Sequence, residues 1–208
     1  MLETIRYGLT NDFIKSLNES YKEDNNIKEV VAKLLDRLGN YNYPVLVENI
    51  LKSMGFTLYS SKALQPNVSA FIAVDDKIKK QFNTNRVVAV NKYDSVEHQR
   101  FAIAHEIAHW IFDCPNRSSF YSAYDTNESG DNPSEVRANK FAAELMMPTS
   151  DFIDYVNKQR EEKLSNNEIL NNVSKYFGAP KTAVAKRFIE TKFGFLLENT
   201  LYEYELRG

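Results

Sequence analysis

Residues 101–112 read FAIAHEIAHWIF, an apolar run interrupted by two histidines and a glutamate. Such groups are costly to bury unless each finds a partner, so any fold that encloses this segment must be built around what satisfies them. The chain has 3 histidines, and two of them stand here, four residues apart. On a helix, residues at that spacing share a face, so His105 and His109 can each aim one imidazole nitrogen at a single point. Zinc accepts this geometry, with metal to nitrogen distances of about 2.0–2.1 Å. Glu106, one residue after the first histidine, is placed to reach a water at the metal rather than the metal itself. That is the His-Glu-x-x-His arrangement of zinc metallopeptidases, with glutamate as general base. Chance alone would give the pattern in roughly 0.2% of chains of this composition, which favours the metal reading.

Composition narrows the surroundings of this segment. With 208 residues the chain can enclose one full core, with room for a small second unit. A hydrophobic content of 43% and an aromatic content of 12% suit a globular protein rather than a disordered one. The 26 basic and 28 acidic side chains nearly cancel, so bulk charge argues for neither nucleic acid nor an anionic membrane surface. The amino terminus, MLETIRYGLTNDF, has no basic stretch followed by an apolar core, and no apolar run approaches the roughly 18 residues of a membrane helix. Neither secretion nor membrane insertion is therefore expected. Cys114 is the only cysteine, so no internal disulfide can form, which fits a reducing cytoplasm.

The flanking elements follow from periodicity and punctuation. Ile27, Val30, Val31, Leu34, Leu35 and Leu38 recur at helical spacing, and Gly39 can close the helix. A second helix is expected from Pro44, as first helical residue, to Met54, with Gly55 behind it. Three β-rich runs follow, FTLY from Phe56, SAFIAV from Ser69 and RVVAV from Arg86, separated by turn residues such as Asp75, Asp76 and Asn83. They predict a small sheet, and the RVVAV strand is expected to offer an edge to an extended substrate. Asp94 with Glu97 suggests a capping box that opens a helix reaching about Phe112 and stopping before Cys114 and Pro115. In this reading Cys114 is a small apolar filler.

Catalytic zinc commonly has three protein ligands. A glycine three residues and a histidine six residues after His109 would mark the metzincins, but Phe112 and Pro115 stand there. The remaining histidine is His98, so a carboxylate on a second helix is the common alternative. Glu135 in NPSEVRANKFAAELMMP is the leading candidate, on a helix whose buried face would carry Val136, Phe141, Ala142 and Leu145. Asn132 as N-cap and Pro133 at the first helical position also allow Glu135 merely to complete a capping box. Glu128, in a polar and irregular segment, and Glu144, late on the same helix, are weaker candidates, and spacing alone does not decide whether Glu135 is ligand or cap.

FAIAHEIAHWIF preceded by RVVAVN and followed by ExxANxFAAELxMP, as Glu135 to Pro148, resembles the ImmA/IrrE family of zinc metallopeptidases. The resemblance runs from about Pro44 to Phe193. It implies an α+β fold with a mostly helical, zincin-like core and a small sheet, followed by a C-terminal helical unit like a helix-turn-helix. It implies Zn2+ as cofactor, held by His105, His109 and Glu135, with Glu106 catalytic; Asn139, one turn beyond Glu135, could orient a ligating imidazole or serve as a helix-packing amide. Manganese or iron would also suit such a site. The implied activity is site-specific endopeptidase cleavage of a helix-turn-helix repressor of a phage, mobile element or stress regulon. Zinc lowers the pKa of its water towards about 7, and Glu106 takes the proton and hands it to the leaving amine. Tyr121, Tyr124 and His98 are candidates for the donor to the developing oxyanion, and none is assigned. Larger family members carry a further sensory domain, so direct stress sensing is not expected of this chain.

Three parts are expected: an N-terminal helical extension over 1–40, the metallopeptidase core over 41–148, and a C-terminal helical unit with its tail over 149–208. Helices are predicted over Ser150 to Val156, Asn166 to Phe177 and Pro180 to Phe193, with Gly178 and Ala179 as a tight turn. Lys181, Lys186, Arg187 and Lys192 make the last helix basic, which would suit DNA. An ordinary hairpin packed on the core, with a solvated lysine face, is the favoured reading. The alternative function is a non-proteolytic, metal-containing regulator that acts by binding DNA or protein.

Overall fold

The computed structural model describes residues 9–39, 41–114, 119–125 and 132–200. The fold is α+β, mostly helical with one small mixed sheet. Two amphipathic helices come first, α1 (Asn11–Asp24) and α2 (Ile27–Leu38). Each begins at a side chain that accepts from first-turn N–H groups, Thr10 from Phe13 and Asn26 from Lys28 and Glu29. Only the second was expected from periodicity. Helix α3 (Val47–Ser53) starts later than the anticipated Pro44 and buries Val47, Ile50 and Leu51.

Strands β1 (Thr57–Ser61), β2 (Val68–Val74), β3 (Arg86–Asn91) and β4 (Phe120–Asp125) form the sheet, with the one-turn helix α4 (Lys79–Phe82) between β2 and β3. Their order is β1-β3-β2-β4, with β1 parallel to β3 and the other pairs antiparallel. In β3 every residue from Val87 to Asn91 is buried, the pattern of a strand covered on both faces. The expectation that this strand presents an edge to substrate is corrected here, because β1 and β2 occupy its two sides. The outer strands are β1 and β4.

Helix α5 (Val96–Asp113) carries the histidines. Its cap is Ser95, which accepts from the His98 N–H, rather than the predicted Asp94, because the serine hydroxyl stands one residue nearer the open first-turn donors. All side chains from Arg100 to Phe112 are buried, as an all-round apolar helix requires. The helix lies between the sheet and α6 (Pro133–Met146), with α1 and α3 also against it. Cys114 ends it as a buried core residue.

The chain then forms α7 (Thr149–Glu161), α8 (Asn166–Phe177) and α9 (Lys181–Glu190), the last shorter than predicted. The α8–α9 turn is clamped by Arg100 of α5, which donates Nε to the Gly178 carbonyl at 3.2 Å and Nη2 to the Val45 carbonyl at 2.6 Å, while Nη1 lies 3.3 Å from Glu48. Gly178 is left-handed, with φ +60, and an added Cβ would stand 2.9 Å from Pro44 Cβ and 3.0 Å from Arg100 Nε. Only glycine meets both constraints. Arg187, counted from sequence among the basic residues of this helix that would suit DNA, is instead buried at 6% exposure. It pairs with Glu144 and donates to the Met147 carbonyl at 2.8 Å, so it joins α9 to α6. No helix among the described residues is long and apolar enough to cross a membrane.

Helix α1 closes the far end of α5. Buried Asn18 donates Nδ2 to the carbonyls of Ile111 and Phe112, both at 2.8 Å, in the turn where helical carbonyls lack intrahelical partners. Asn18→Ala would strand these acceptors, and urea denaturation should show a loss of about 1–3 kcal/mol. An unchanged midpoint would mean that the contact contributes nothing to stability.

Candidate metal centre

Asn132 caps α6 by accepting from the Ser134 N–H at 3.0 Å, and Pro133 occupies the first helical position. This places Glu135 in the first turn, facing α5. Its carboxylate does not return to the cap. Oε2 lies 2.9 Å from His105 Nε2 and Oε1 lies 3.1 Å from His109 Nε2, while the two Nε2 atoms are 2.9 Å apart. His105 is fully buried, His109 is 3% exposed and the Glu135 side chain is 12% exposed, so the cluster meets solvent mainly on the carboxylate side.

Each imidazole is held by its other nitrogen. His105 Nδ1 is 3.0 Å from Asn139 Oδ1, and His109 Nδ1 is 2.8 Å from Asp113 Oδ2. The carboxylate can only accept here, so it takes the Nδ1 proton of His109, and the Asn139 amide oxygen does the same for His105. Both Nε2 atoms are thereby turned toward the common centre. Asp113 was not among the residues singled out by sequence, although its place four residues after His109 on one helix is a readable signal. It also accepts from Ser134 Oγ at 2.8 Å and pairs with Arg137, so it ties the end of α5 to the start of α6.

Electrostatics separate the members of the cluster. Burial pulls the His105 imidazole below its usual range. Burial acts the same way on His109, but hydrogen bonds with Asp113 and Glu135 and the nearby Glu106 carboxylate outweigh it and push the group up to about 9. Burial would raise Glu135, yet its bonds with both histidines hold it at about 2. Asp113 is likewise lowered, its bonds with His109 and Ser134 overcoming its own burial. Glu106 is the exception: it is 0% exposed, and among the described residues neither carboxylate oxygen has a hydrogen-bond partner. Burial, reinforced by the Glu135 charge and opposed by His109, pushes it up to about 8. The Tyr124 backbone has the smallest influence and lowers it.

The remaining sequence candidates are placed as follows. The Tyr124 ring lies against His105, with centroids 4.3 Å apart, and also near the His98 ring at 6.0 Å. His98 Nε2 is engaged by Ser69 Oγ at 2.9 Å, and Tyr121 is 66% exposed on the sheet beside Phe71. Of the three candidates for an oxyanion donor, Tyr124 packs on the His105 ring, while burial and the nearby Glu106 charge raise the Tyr121 hydroxyl. Glu144 is held by Arg187 and Thr149, away from the histidines, and Glu128 lies outside the described residues.

Two imidazoles and an ionised carboxylate within 4.8 Å of one another could hold a metal ion. Ligands at about 2.0–2.1 Å from a tetrahedral zinc stand roughly 3.3 Å apart, close to the spacing found here. The pre-set Nδ1 partners and the orphaned Glu106 beside the cluster fit such an ion as well. Residues 53–188 match the IrrE N-terminal-like domain of the M78 peptidases, a span that includes all four residues of the His-Glu-His and Glu135 set. The chain belongs to this metallopeptidase family. No curated protein matches it significantly.

Two outcomes follow for metal binding. Asp113→Asn keeps the shape but weakens the hold on His109, and chelator competition should show zinc affinity lower by about 10–100-fold. Without metal, His109 is protonated at pH 7 because its pKa lies near 9, whereas a ligating imidazole must be neutral. Metal uptake therefore releases a proton, and affinity declines as pH falls below that value. Calorimetry in buffers of different ionisation enthalpy should report about one to two protons released per ion, the second from Glu106. No release would contradict the assigned protonation.

Proposed function

We propose that this chain is a zinc-dependent endopeptidase in which His105, His109 and Glu135 hold the ion and Glu106 is the general base. The observation that carries this reading is the buried Glu106 carboxylate, without a hydrogen-bond partner, beside three convergent ligand atoms. A structural site has no use for so costly a group, whereas a hydrolytic one needs a base near the ion.

When bound, zinc supplies Lewis acidity and lowers the pKa of the attacking water. Glu106 then accepts that water's proton and delivers it to the leaving amine nitrogen. In the metal-free pocket Glu106 titrates near 8, and a nearby dication favours its ionised, proton-accepting form. Asn139 and Asp113 keep the imidazoles from rotating. Tyr124 is the candidate to donate to the developing oxyanion, and the outer strand β4, which bears it, is the edge that can align an extended peptide. The substrate suggested by the family is a helix-turn-helix repressor, met in the cytoplasm. The alternative of a DNA-binding regulator loses one of its contacts, since Arg187 is committed to Glu144.

The test is cleavage of a repressor encoded beside this chain, with zinc-loaded wild type and Glu106→Gln in parallel. The wild type should cut at one bond, and the variant should lose about 10²–10⁴-fold in rate with its zinc content unchanged. Equal cutting by the variant would remove Glu106 from the mechanism, and zinc binding without any cleavage would remove the peptidase reading.

A further inference from the structure

Two cavities lie on the outer face of α6 and meet there. The smaller, about 270 Å³, opens beside the metal centre between Tyr124 and Asn139 on one side and Ala183 and Lys186 of α9 on the other. The larger, about 940 Å³, continues between the last turn of α9 and the first turn of α2. Val136, Lys140, Arg187 and Glu190 line both, so the two form one groove that begins at the partner of His105 and runs away from it.

The charges along this groove are lopsided. Lys28, Arg137, Lys140, Lys186, Arg187 and Lys192 line it, against the carboxylates of Glu144 and Glu190. Both carboxylates are taken by Arg187, and Arg137 is taken by Asp113. The four lysines are exposed, and among the described residues none of them makes an ion pair. The whole chain carries a net charge of −2, so this excess of cations is local. Between the ammonium groups the floor is apolar, with Ile27, Val136, Ala143 and Ile153. Flexible cations above an apolar floor complement an extended peptide that mixes acidic and aliphatic side chains. Duplex DNA is read by an element that protrudes into its grooves, and a recess offers none.

We propose that this groove is an exosite that binds an acidic segment of the protein substrate and leads it to the metal centre, an assignment that rests on the peptidase reading. Lys140, which lines both cavities, and Lys186 set its preference for acidic side chains.

Binding is tested on full-length, zinc-loaded protein carrying Glu106→Gln, so that no hydrolysis interferes. Fluorescein-labelled peptides alternating leucine with glutamate, and the same peptides with glutamine for glutamate, are titrated by anisotropy, with a labelled DNA duplex as a third probe. The acidic peptide should bind at least about tenfold tighter than its amide counterpart. Lys140→Glu with Lys186→Glu should erase that preference, while Lys175→Glu, an exposed charge on α8 outside the groove, should leave it intact. Thermal melting of each variant establishes that it is folded. Equal affinity for the two peptides, a preference that survives the double reversal, an equal loss with Lys175→Glu, or tighter binding of DNA than of the acidic peptide would each overturn the exosite. Cleavage of a repressor by the wild type without any charge preference defeats the groove alone. Charge-selective binding with no cleavage of any protein by the wild type defeats the peptidase reading instead.

Discussion

The approach of the Glu135 carboxylate to two imidazoles, at 2.9 and 3.1 Å, ties the first turn of α6 to the middle of α5, and most of the surrounding structure keeps those two helices in register. A turn of one residue along α6 would rotate Glu135 about 100° away from the histidines. Two restraints oppose this. Phe141, Ala142 and Leu145 bury the inner face of α6, and Asp113 reaches across from the end of α5 to Ser134 and Arg137 on either side of Glu135. The same aspartate holds His109, so the helix register and the orientation of one imidazole are set by a single side chain.

Buried charge is distributed with a clear asymmetry. Arg100 finds two backbone carbonyls and Glu48, and Arg187 with Glu144 forms a pair that also reaches Thr149 and Met147. Each of these is compensated, as a buried ion has to be, because losing water costs several kcal/mol. Glu106 feels the nearby His109 charge but, among the described residues, has no hydrogen-bond partner. Among the described residues Glu106 is the carboxylate with both oxygens buried and without a hydrogen bond, and it stands beside three atoms able to ligate a metal, the kind of local cost that marks a candidate functional site.

The C-terminal helices contribute to the site through the same compensated charges. Arg100 fixes the α8–α9 turn against α5, and Arg187 fixes α9 against α6. With α9 so held, Ala183 and Lys186 become a wall of the cavity that opens at Tyr124 and Asn139. A hairpin that would be read as a separate binding unit from its lysines is thus also part of the surface around the metal centre.

Local rules account for what could be read along the chain. The period of the apolar residues gave α2, α5 and α6 as helices, the buried run RVVAV gave a strand, and the spacing of His105, Glu106 and His109 put two imidazoles on one face with a carboxylate beside them. These depend on neighbours within a turn or two, which is the range over which side chains on a helix or strand constrain each other. Contacts between distant segments were not legible in this way. Spacing favoured Glu135 over Glu144, later on the same helix, but could not tell a ligand from a capping-box residue; the packing of α6 against α5 sends Glu135 to the histidines and Glu144 to Arg187. Nor could it show that Asn18 caps α5, that β3 is interior while β4 is an outer strand, or that Arg187 is buried. The sequence by itself determined which candidate ligand groups lie together along α5, because residue type and helical spacing are local. The tertiary structure decided the partners, exposure and approach of the centre, because those are set by which surfaces meet.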